Sequence, residues 1–290
     1  MDADEAARPR RSALYVPAAN ARAIDKARTL PCDLVILDLE DSVAPEAKAA
    51  ARDQAVRSIG DGGFGGREMI VRVNGEDTPW AGDDLTAVLG SGADGVLAPK
   101  VGHPSTIGRY SERIAAAGAP TRLWAMIETC SGVLDVRAIA AAGGSLAGLV
   151  VGTNDLATEL RSRPTADRRP LQPFLAQIVA AARESGLVAL DGVYGDLEDP
   201  AGFEAECRQG TEFGFDGKTL IHPSQIDPCN RIYAPSPEEV AWAEAVVAAF
   251  VDAGGKGAIR LQGRMVERLH LHDAERLLRL ARSLRPDGGP

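Results

Sequence analysis

The sequence predicts an α/β fold, a (β/α)8 barrel of the TIM type with a C-terminal helical extension, and three observations lead to this prediction. Eight short runs of apolar and β-branched residues recur along the chain, and Ala-rich stretches with helical spacing separate them. Most runs are continuously apolar rather than alternating, which is typical of parallel strands covered by helices. The length of 290 residues suits one barrel. Eight strand–helix units with right-handed crossovers therefore predict a closed barrel.

The predicted strands are six or seven residues long, and most carry or precede polar residues at their carboxyl ends. They lie at Ser12–Pro17, Leu34–Leu39, Glu68–Val73, Gly95–Lys100, Arg122–Ile127, Leu146–Gly152, Val188–Val193 and Gly217–His222. Among the helices between and after them, the clearest patterns are at Ala44–Ile59, Leu171–Ser185 and Pro237–Ala253.

A flexible break and a tail follow the last of these helices. The break is Gly254-Gly255-Lys256-Gly257, so we place a catalytic barrel domain at residues 1–256 and an extension at residues 257–290. The stretch from Arg264 to Leu284 is charged and periodic, which predicts a helix. We expect the extension to pack on a neighbouring subunit.

Composition excludes several classes of partner and location. The net charge of −9 argues against a general nucleic-acid surface. No apolar run approaches the roughly 20 residues of a membrane span, and the N-terminus lacks the apolar core of a signal peptide. The four cysteines are scattered, which argues against a thiolate metal site and fits a reducing compartment. We therefore expect a cytoplasmic protein without nucleic-acid or membrane partners.

Ionisable residues gather where the predicted strands end. Seven strands carry or run into such groups: Asp38-Leu39-Glu40-Asp41, Arg72-Val73-Asn74, Pro99-Lys100, Glu128-Thr129, Thr153-Asn154-Asp155, Asp191 and His222. Barrel enzymes place their chemistry at this mouth, so the pattern predicts an active site there. The alternative is that loops are polar because water surrounds them.

Glu128 and Asp155 follow neighbouring strands, and their carboxylates can converge on one cation. Mg²⁺ takes one or two protein carboxylates and keeps its other positions for water and substrate. The absence of His or Cys partners argues against Zn²⁺. Helix capping or a salt bridge would equally explain either carboxylate, and Asp155 precedes a helical stretch.

Two groups of basic residues are candidates for binding anions. Arg72 lies between apolar neighbours, so it must pair with a carboxylate such as Glu40 or with a bound anion. A purely structural ion pair is the alternative. Arg22 and Lys26 share one face of a helix start, where a phosphate would gain from both charges, although a solvated face has the same spacing. The chain has no glycine-rich phosphate loop.

Several ordered segments carry a resemblance to a known family. They are Arg11-Ser12-Ala13-Leu14-Tyr15-Val16-Pro17, Leu37-Asp38-Leu39-Glu40-Asp41-Ser42-Val43, Val71-Arg72-Val73-Asn74, Ala98-Pro99-Lys100, Met126-Ile127-Glu128-Thr129, Gly152-Thr153-Asn154-Asp155-Leu156-Ala157, and the run from Leu190 to Tyr194 and from Phe215 to Gln225. Together they resemble the citrate lyase β-subunit and malyl-CoA lyase branch of the HpcH/HpaI aldolase family. The resemblance covers about Arg11 to Arg268. The residues around Asn154 and the motifs at Asp191 and Phe215 resemble those of malyl-CoA lyases more than those of citrate lyase β-subunits.

The resemblance implies a Mg²⁺-dependent barrel, in which Mn²⁺ is expected to substitute, acting on CoA thioesters of hydroxy acids as a homotrimer or hexamer. It implies that Glu128 and Asp155 ligate the metal. It also implies a set of residues that bind the acyl-CoA substrate at its acyl end or its phosphates: Arg72, Glu128, Asn20, Arg22 and Lys26.

One departure from the family pattern concerns the tail. Malyl-CoA-type relatives carry a Met-Ile-Asp motif whose Asp enters a neighbour's active site, whereas this chain has Met265-Val266-Glu267. The carboxylate remains on a side chain one methylene longer. Small displacements of a catalytic group cost orders of magnitude in rate, so the reaction scope depends on this position.

The resemblance implies a retro-Claisen cleavage of a 3-hydroxyacyl-CoA such as malyl-CoA, methylmalyl-CoA or citramalyl-CoA into an acyl-CoA and a 2-oxo acid. Arg72 would stabilise the thioester enolate, and Glu40 or Glu267 would carry the proton. Three alternatives stay open within the family: a malyl-CoA thioesterase, a citrate-lyase-type subunit that needs an acyl-carrier partner, and a non-catalytic CoA-binding homologue.

Two further residues have competing interpretations. Lys100 ends a strand, so a Schiff-base aldolase is an alternative enzyme class, although the two carboxylates would then lack a role. Pairing near the mouth is the structural interpretation of Lys100. For His222 we favour a structural hydrogen bond over a general base.

Overall fold

A closed barrel of eight parallel strands dominates the computed structural model of the protein, which describes residues 8–254 and 257–284. The described residues form two compact units: residues 10–231, and residues from 232 onward together with those before Arg10. The N-terminal residues 1–7, Gly255 and Lys256 of the predicted break, and the last six residues of the predicted extension lie outside the described residues.

The barrel strands are those that the sequence predicts, and their ends differ by at most two residues. They are β1 (Ser12–Pro17), β2 (Leu34–Asp38), β3 (Glu68–Arg72), β4 (Gly95–Ala98), β5 (Arg122–Ile127), β6 (Leu146–Val151), β7 (Val188–Asp191) and β8 (Gly217–Leu220). Each strand pairs with the next, and β1 pairs with β8 through Ser12–Lys218, Ala13–Thr219 and Leu14–Leu220. The predicted barrel is confirmed.

Helices connect the strands on the outside of the barrel. They are α1 (Ala21–Ala27), α2 (Lys48–Gly60), α3 (Ala81–Leu89), α4 (Pro104–Ala117), α5 (Cys130–Leu134), α6 (Val136–Ala141), α7 (Thr153–Glu159), α8 (Gln172–Glu184), α9 (Pro200–Phe213) and α10 (Ile226–Ile232), with 3-10 turns at Pro45–Ala47 and Pro223–Gln225. None of the helices within residues 8–254 and 257–284 is long and apolar enough to cross a membrane.

The second unit contains α11 (Pro237–Asp252), β9 (Ala258–Leu261), β10 (Arg264–Glu267) and α12 (Arg268–Ser283). The helix predicted from Arg264 to Leu284 is therefore wrong at its start, because Arg264–Glu267 pairs with Ala258–Leu261 in an antiparallel hairpin. Gln262 and Gly263 turn this hairpin with positive φ angles of 47° and 82°, the geometry of a tight hairpin turn. Within β10, Val266 is buried and Met265 is exposed, which is the alternation of a strand.

Pro237–Asp252, which the sequence placed in the barrel domain ahead of a boundary at residue 256, groups with the tail in the structure. The reason is a shared hydrophobic core. It joins one face of α11 to the hairpin and α12: Ala243, Val246, Phe250, Val266, Ala274 and Leu278. The predicted packing of the extension on a neighbouring subunit stays a prediction.

Trp124 fills the barrel interior, where it is fully buried among Ile36, Ile70 and Leu97. Its indole ring lies against the backbone of β6 at Gly148, where a Cβ would collide with the ring. The parallel sheet therefore closes around one large side chain, and a glycine on the neighbouring strand makes room for it.

A buried network of ionic groups ties the last two strands together. Lys218 is fully buried and donates to Asp191 at 3.2 Å and to Glu206 at 2.7 Å. Arg168, in the loop after α7, donates to both Asp191 oxygens at 2.7 and 2.9 Å. Because buried charges are costly unless paired, this network holds that loop against β7 and β8.

Gly148→Ala should destabilise the protein by about 1–3 kcal/mol, because the added methyl group overpacks the Trp124 ring. Gly108→Ala is the matched control: Gly108 is exposed on α4 with open space around its missing Cβ, so the same change should stabilise by about 0.5–1 kcal/mol. Denaturant unfolding of both variants measures the difference. Equal effects of the two changes would contradict the packing of Trp124.

Candidate active site

A cavity of about 380 Å³ opens at the carboxyl ends of the barrel strands. Its walls combine charged, polar and apolar side chains from seven loops or strands: Tyr15, Pro17, Asp38, Asp41, Ser42, Arg72, Met126, Val151, Gly152, Thr153, Asn154, Asp155, Val193, Thr219 and Ile221. The ionisable strand ends singled out in the sequence therefore do contribute to a cavity at the mouth, through Asp38, Asp41, Arg72 and Asp155.

Arg72 is held at one wall of this cavity by three carboxylates. Its Nε and Nη2 donate to the two oxygens of Asp38 at 2.7 and 2.8 Å, a bidentate pair. Its Nη1 lies 3.0 Å from Glu40 Oε2 and donates to Asp41 Oδ2 at 3.2 Å. Burial alone would raise the pKa of Asp38, but the Arg72 guanidinium holds that pKa below its ordinary value. The predicted partner Glu40 is present, and Asp38 is the better-aligned one.

Glu40 connects Arg72 to Lys100. The Lys100 ammonium lies 2.5 Å from Glu40 Oε1, and Lys48 donates to the backbone oxygens of Leu39 and Glu40 at 2.8 and 2.6 Å. Burial raises the pKa of Glu40, although Arg72 and Lys100 both act to lower it. Burial alone would lower the pKa of Lys100. The hydrogen bond to Glu40 and the charge of that carboxylate outweigh burial, so the pKa of Lys100 is raised. A lysine held in its charged form is a poor Schiff-base nucleophile, so the geometry favours the structural interpretation of Lys100.

Glu128 lies behind the cavity wall with one oxygen bound and one free. Its Oε1 accepts the Lys100 backbone N–H at 2.7 Å, and Lys100 adopts a left-handed φ of 52° there, unusual for a residue other than glycine. Its Oε2 is buried without a hydrogen-bond partner among the described residues. Burial, with the charges of Glu40 and Asp155, raises the pKa of Glu128 to about 7. A buried, half-satisfied carboxylate in this environment is stabilised in its ionised form by a cation.

Asp155 supplies a second, exposed carboxylate in the first turn of α7. Helix α7 begins after Gly152, and no side-chain cap bond involves Asp155, so the capping interpretation of this residue is not what the structure shows. Gly152 also leaves room for Glu128, since a Cβ at residue 152 would collide with the Glu128 side chain. The free Oε2 of Glu128, the open Asp155 carboxylate and the all-oxygen chemistry suit Mg²⁺.

These two residues are a sparse donor set. Within residues 8–254 and 257–284, no group of three or more His, Cys, Asp or Glu side chains is arranged to hold a metal ion. Mg²⁺ keeps several water ligands and commonly uses only one or two protein carboxylates, whereas structural Zn²⁺ requires four protein ligands. The residues present therefore fit Mg²⁺ better than Zn²⁺.

The residues predicted to bind phosphate lie on α1 or at its N-cap. Asn20 is the N-cap of this helix, and its Oδ1 accepts the Ala23 N–H at 3.1 Å. Arg22 and Lys26 are exposed, and in the described part of the chain neither side chain forms an ion pair. Both cations are thus available to a solvent-borne anion, whereas Asn20 has a local structural role.

Two other predicted residues have local partners. The Glu267 side chain and His270 form a capping box at the start of α12, with the Glu267 N–H donating to His270 Nδ1 at 3.0 Å. His222 caps the 3-10 turn Pro223–Gln225, where its Nδ1 accepts the Ser224 N–H at 3.2 Å. The structural hydrogen bond expected of His222 is therefore present.

Sequence reasoning assigned no individual role to three residues that line the cavity, Asp38, Tyr15 and Met126. Asp38 stands at the end of β2, and its pairing with Arg72 would have been found by asking which carboxylate precedes Glu40 on the same face. Tyr15 lies on β1 with its ring 5.0 Å from the Arg72 guanidinium carbon, and Met126 lies on β5. Both look like core residues in the sequence, and no local signal distinguishes them.

The chain is similar to known proteins both in sequence and in structure. A family model described as HpcH/HpaI aldolase/citrate lyase matches residues 11–223. The chain is 44% identical to a (3S)-malyl-CoA thioesterase from Cereibacter sphaeroides over 96% of each chain, and 33% identical to an L-malyl-CoA/beta-methylmalyl-CoA lyase of the same species over 95% of each. The structure of CitE from Mycobacterium tuberculosis in complex with magnesium, acetoacetate and coenzyme A superimposes with a TM-score of 0.78, 33% identity and coverage of 96% and 99%.

Glu128→Gln should weaken divalent-cation binding by at least about tenfold, because the neutral amide keeps the side-chain shape and removes the charge. Electron paramagnetic resonance of free Mn²⁺, with Mg²⁺ as competitor, measures the affinity. The matched control is Glu159→Gln, which neutralises an exposed carboxylate at the far end of α7. This change should leave the affinity for divalent cations unchanged. Wild-type affinity in Glu128→Gln would remove Glu128 from the metal site.

Proposed function

The chain belongs to the HpcH/HpaI aldolase/citrate lyase family, and from this premise we propose that it is a Mg²⁺-dependent carbon–carbon lyase acting on a malyl-CoA-type thioester. The observation that carries the proposal is the free, buried Oε2 of Glu128 behind a cavity that also holds the Arg72 guanidinium. A hard-cation site and an anion-stabilising cation in one cavity suit a substrate with a hydroxy acid at one end and a thioester at the other.

Glu128 and Asp155 would hold the metal, and Mn²⁺ is expected to replace Mg²⁺. When bound, the cation supplies Lewis acidity that lowers the pKa of the substrate hydroxyl and orients the hydroxy acid. Comparison with a CitE structure that contains magnesium supports this assignment.

Arg72 acts at the thioester end of the substrate. In the cleavage, the hydroxyl gives its proton to a carboxylate of the site, the carbon–carbon bond breaks to leave a 2-oxo acid, and the bonding electrons pass to the thioester enolate. Arg72 faces the cavity and carries the charge that stabilises the enolate oxygen. Asp38, Glu40 and Asp41 fix its orientation before substrate arrives, so no reorganisation is needed during the reaction.

The enolate carbon takes up a proton to give acetyl-CoA or propionyl-CoA, and a carboxyl group must deliver it. Glu40 is one candidate, because burial raises its pKa above the ordinary value of a glutamate. Glu267 of a neighbouring subunit is the other candidate, in the position of the family's tail Asp. On α1, the exposed Arg22 and Lys26 would bind the CoA phosphates beside Asn20.

Hydrolysis of malyl-CoA is the second candidate function, and sequence identity favours it. The chain is 44% identical to a protein named as a malyl-CoA thioesterase but 33% identical to a protein named as an L-malyl-CoA/beta-methylmalyl-CoA lyase. The same metal site and Arg72 would polarise the thioester for attack by water. The two reactions share a substrate and differ in the bond broken.

Purified protein with Mg²⁺ should convert malyl-CoA to acetyl-CoA and glyoxylate, and EDTA should abolish turnover, because the substrate hydroxyl then loses its Lewis acid. Chromatography of CoA species, with a hydrazone assay for glyoxylate, measures the lyase. Malate with free CoA would identify the thioesterase instead. Metal-independent turnover, or none with malyl-, methylmalyl- or citramalyl-CoA, would contradict the proposal. Activity only with an acyl-carrier partner would indicate a citrate-lyase-type subunit.

Glu267→Gln and Glu128→Gln should each lose activity and retain the melting temperature of the wild type. Co-expression of the two variants should restore activity if Glu267 serves the active site of a neighbouring subunit. Random mixing leaves about a quarter of the sites with both carboxylates intact. Ultracentrifugation of the same samples tests the expected homotrimer or hexamer. Wild-type activity in Glu267→Gln would assign the proton to Glu40. A monomer, or mixed oligomers as inactive as either parent, would contradict donation from a neighbouring subunit.

A further inference from the structure

Tyr15 presents a phenol hydroxyl at the cavity that the roles assigned above do not use. The residue lies on β1 and lines the cavity beside Arg72. Its ring centroid is 5.0 Å from the guanidinium carbon of Arg72, so the two groups are stacked. Burial raises the pKa of the Tyr15 hydroxyl above its ordinary value. The hydroxyl therefore remains protonated at neutral pH and acts as a hydrogen-bond donor.

The acceptor that Tyr15 has in the protein is a weak one. Within residues 8–254 and 257–284, the hydroxyl donates to the thioether sulfur of Met126, at 3.9 Å. Arg72 Nη1 also lies 3.9 Å from the same sulfur. Two donors from β1 and β3 thus converge on one point at the cavity wall. Thioether sulfur is a poor acceptor, and methionine is the most adaptable apolar side chain.

Convergent donors around a weak, movable acceptor are the arrangement that binds a developing oxyanion. Arg72 by itself is poorly suited to the whole task, because Asp38, Glu40 and Asp41 already occupy most of its N–H groups. A neutral donor at the same point adds stabilisation without adding a further buried charge.

Building on the proposed function, we propose that the Tyr15 hydroxyl is the second donor, beside Arg72, to the thioester carbonyl oxygen of a bound CoA ester, displacing the Met126 sulfur as its acceptor. Tyr15 is then a catalytic residue, because its hydrogen bond strengthens as the carbonyl oxygen becomes the enolate oxygen. The hydroxy-acid end of the same substrate faces Glu128, which follows β5, and Asp155 on α7.

Paired ligands isolate the carbonyl contact without requiring turnover. Acetyl-CoA carries the thioester oxygen, and S-ethyl-CoA replaces that carbonyl with a methylene group. Wild-type protein in Mg²⁺ should bind acetyl-CoA about 5- to 10-fold more tightly, and Tyr15→Phe should lose most of this preference while keeping its affinity for S-ethyl-CoA. Calorimetry measures both affinities. Tyr15→Phe keeps the ring on Arg72, so its melting temperature should match that of the wild type.

The matched control is Tyr110→Phe, which removes a hydroxyl from a buried tyrosine on α4 and should keep the full preference. If the wild type turns over malyl-CoA, Tyr15→Phe should also lower kcat at least about tenfold. The carbonyl preference tests Tyr15 separately from the proposed function, because it is measurable in a protein that turns over nothing. An unchanged preference in Tyr15→Phe, no preference in the wild type, or binding of neither ligand would overturn the inference.

Discussion

A buried guanidinium at the end of β3 is the constraint on which the rest of the mouth depends. Arg72 stands between strands that exclude water, so its charge requires carboxylates, and Asp38 provides a bidentate pair with Glu40 and Asp41 beside it. Glu40 in turn forms an ion pair with the Lys100 ammonium, and the Lys100 backbone N–H donates to Glu128. One unavoidable charge thus orders the loops after four consecutive strands.

The same chain of contacts divides the cavity into a satisfied side and an unsatisfied side. Around Arg72 every carboxylate has a cationic partner, which holds these side chains in place. Around Glu128 one oxygen has no partner in the described residues, and the raised pKa of this carboxyl is the electrostatic result of burial and neighbouring negative charge. Polar groups left half-satisfied at a rigid site are where a ligand contributes most, which is why the free oxygen indicates a cation.

The C-terminal unit follows a different logic, because it has its own hydrophobic core formed by α11, the β9–β10 hairpin and α12. Its hairpin places Glu267 at a strand-to-helix junction, where the capping box with His270 sets the local backbone. A carboxylate at such a junction is held more firmly than one on a loop. Compared with the Asp expected from the family resemblance, Glu267 has one more methylene group, but the capping box fixes the backbone from which its side chain extends.

The sequence by itself determined the barrel, because a strand buried on both faces has a continuous apolar pattern that is local and readable, and all eight strands lie where that pattern predicts. It also determined the ionisable strand ends and, through family resemblance, the roles expected of Glu128, Asp155 and Arg72. Only the tertiary structure decided which groups meet: Arg72 contacts Asp38 across 34 positions, Lys100 contacts Glu40 across 60, and Tyr15 contacts Met126 across 111. The hairpin at Arg264–Glu267 and the grouping of Pro237–Asp252 with the tail were likewise hidden, since both depend on a core shared between distant segments. Such contacts arise from barrel closure and packing, which no local periodicity records.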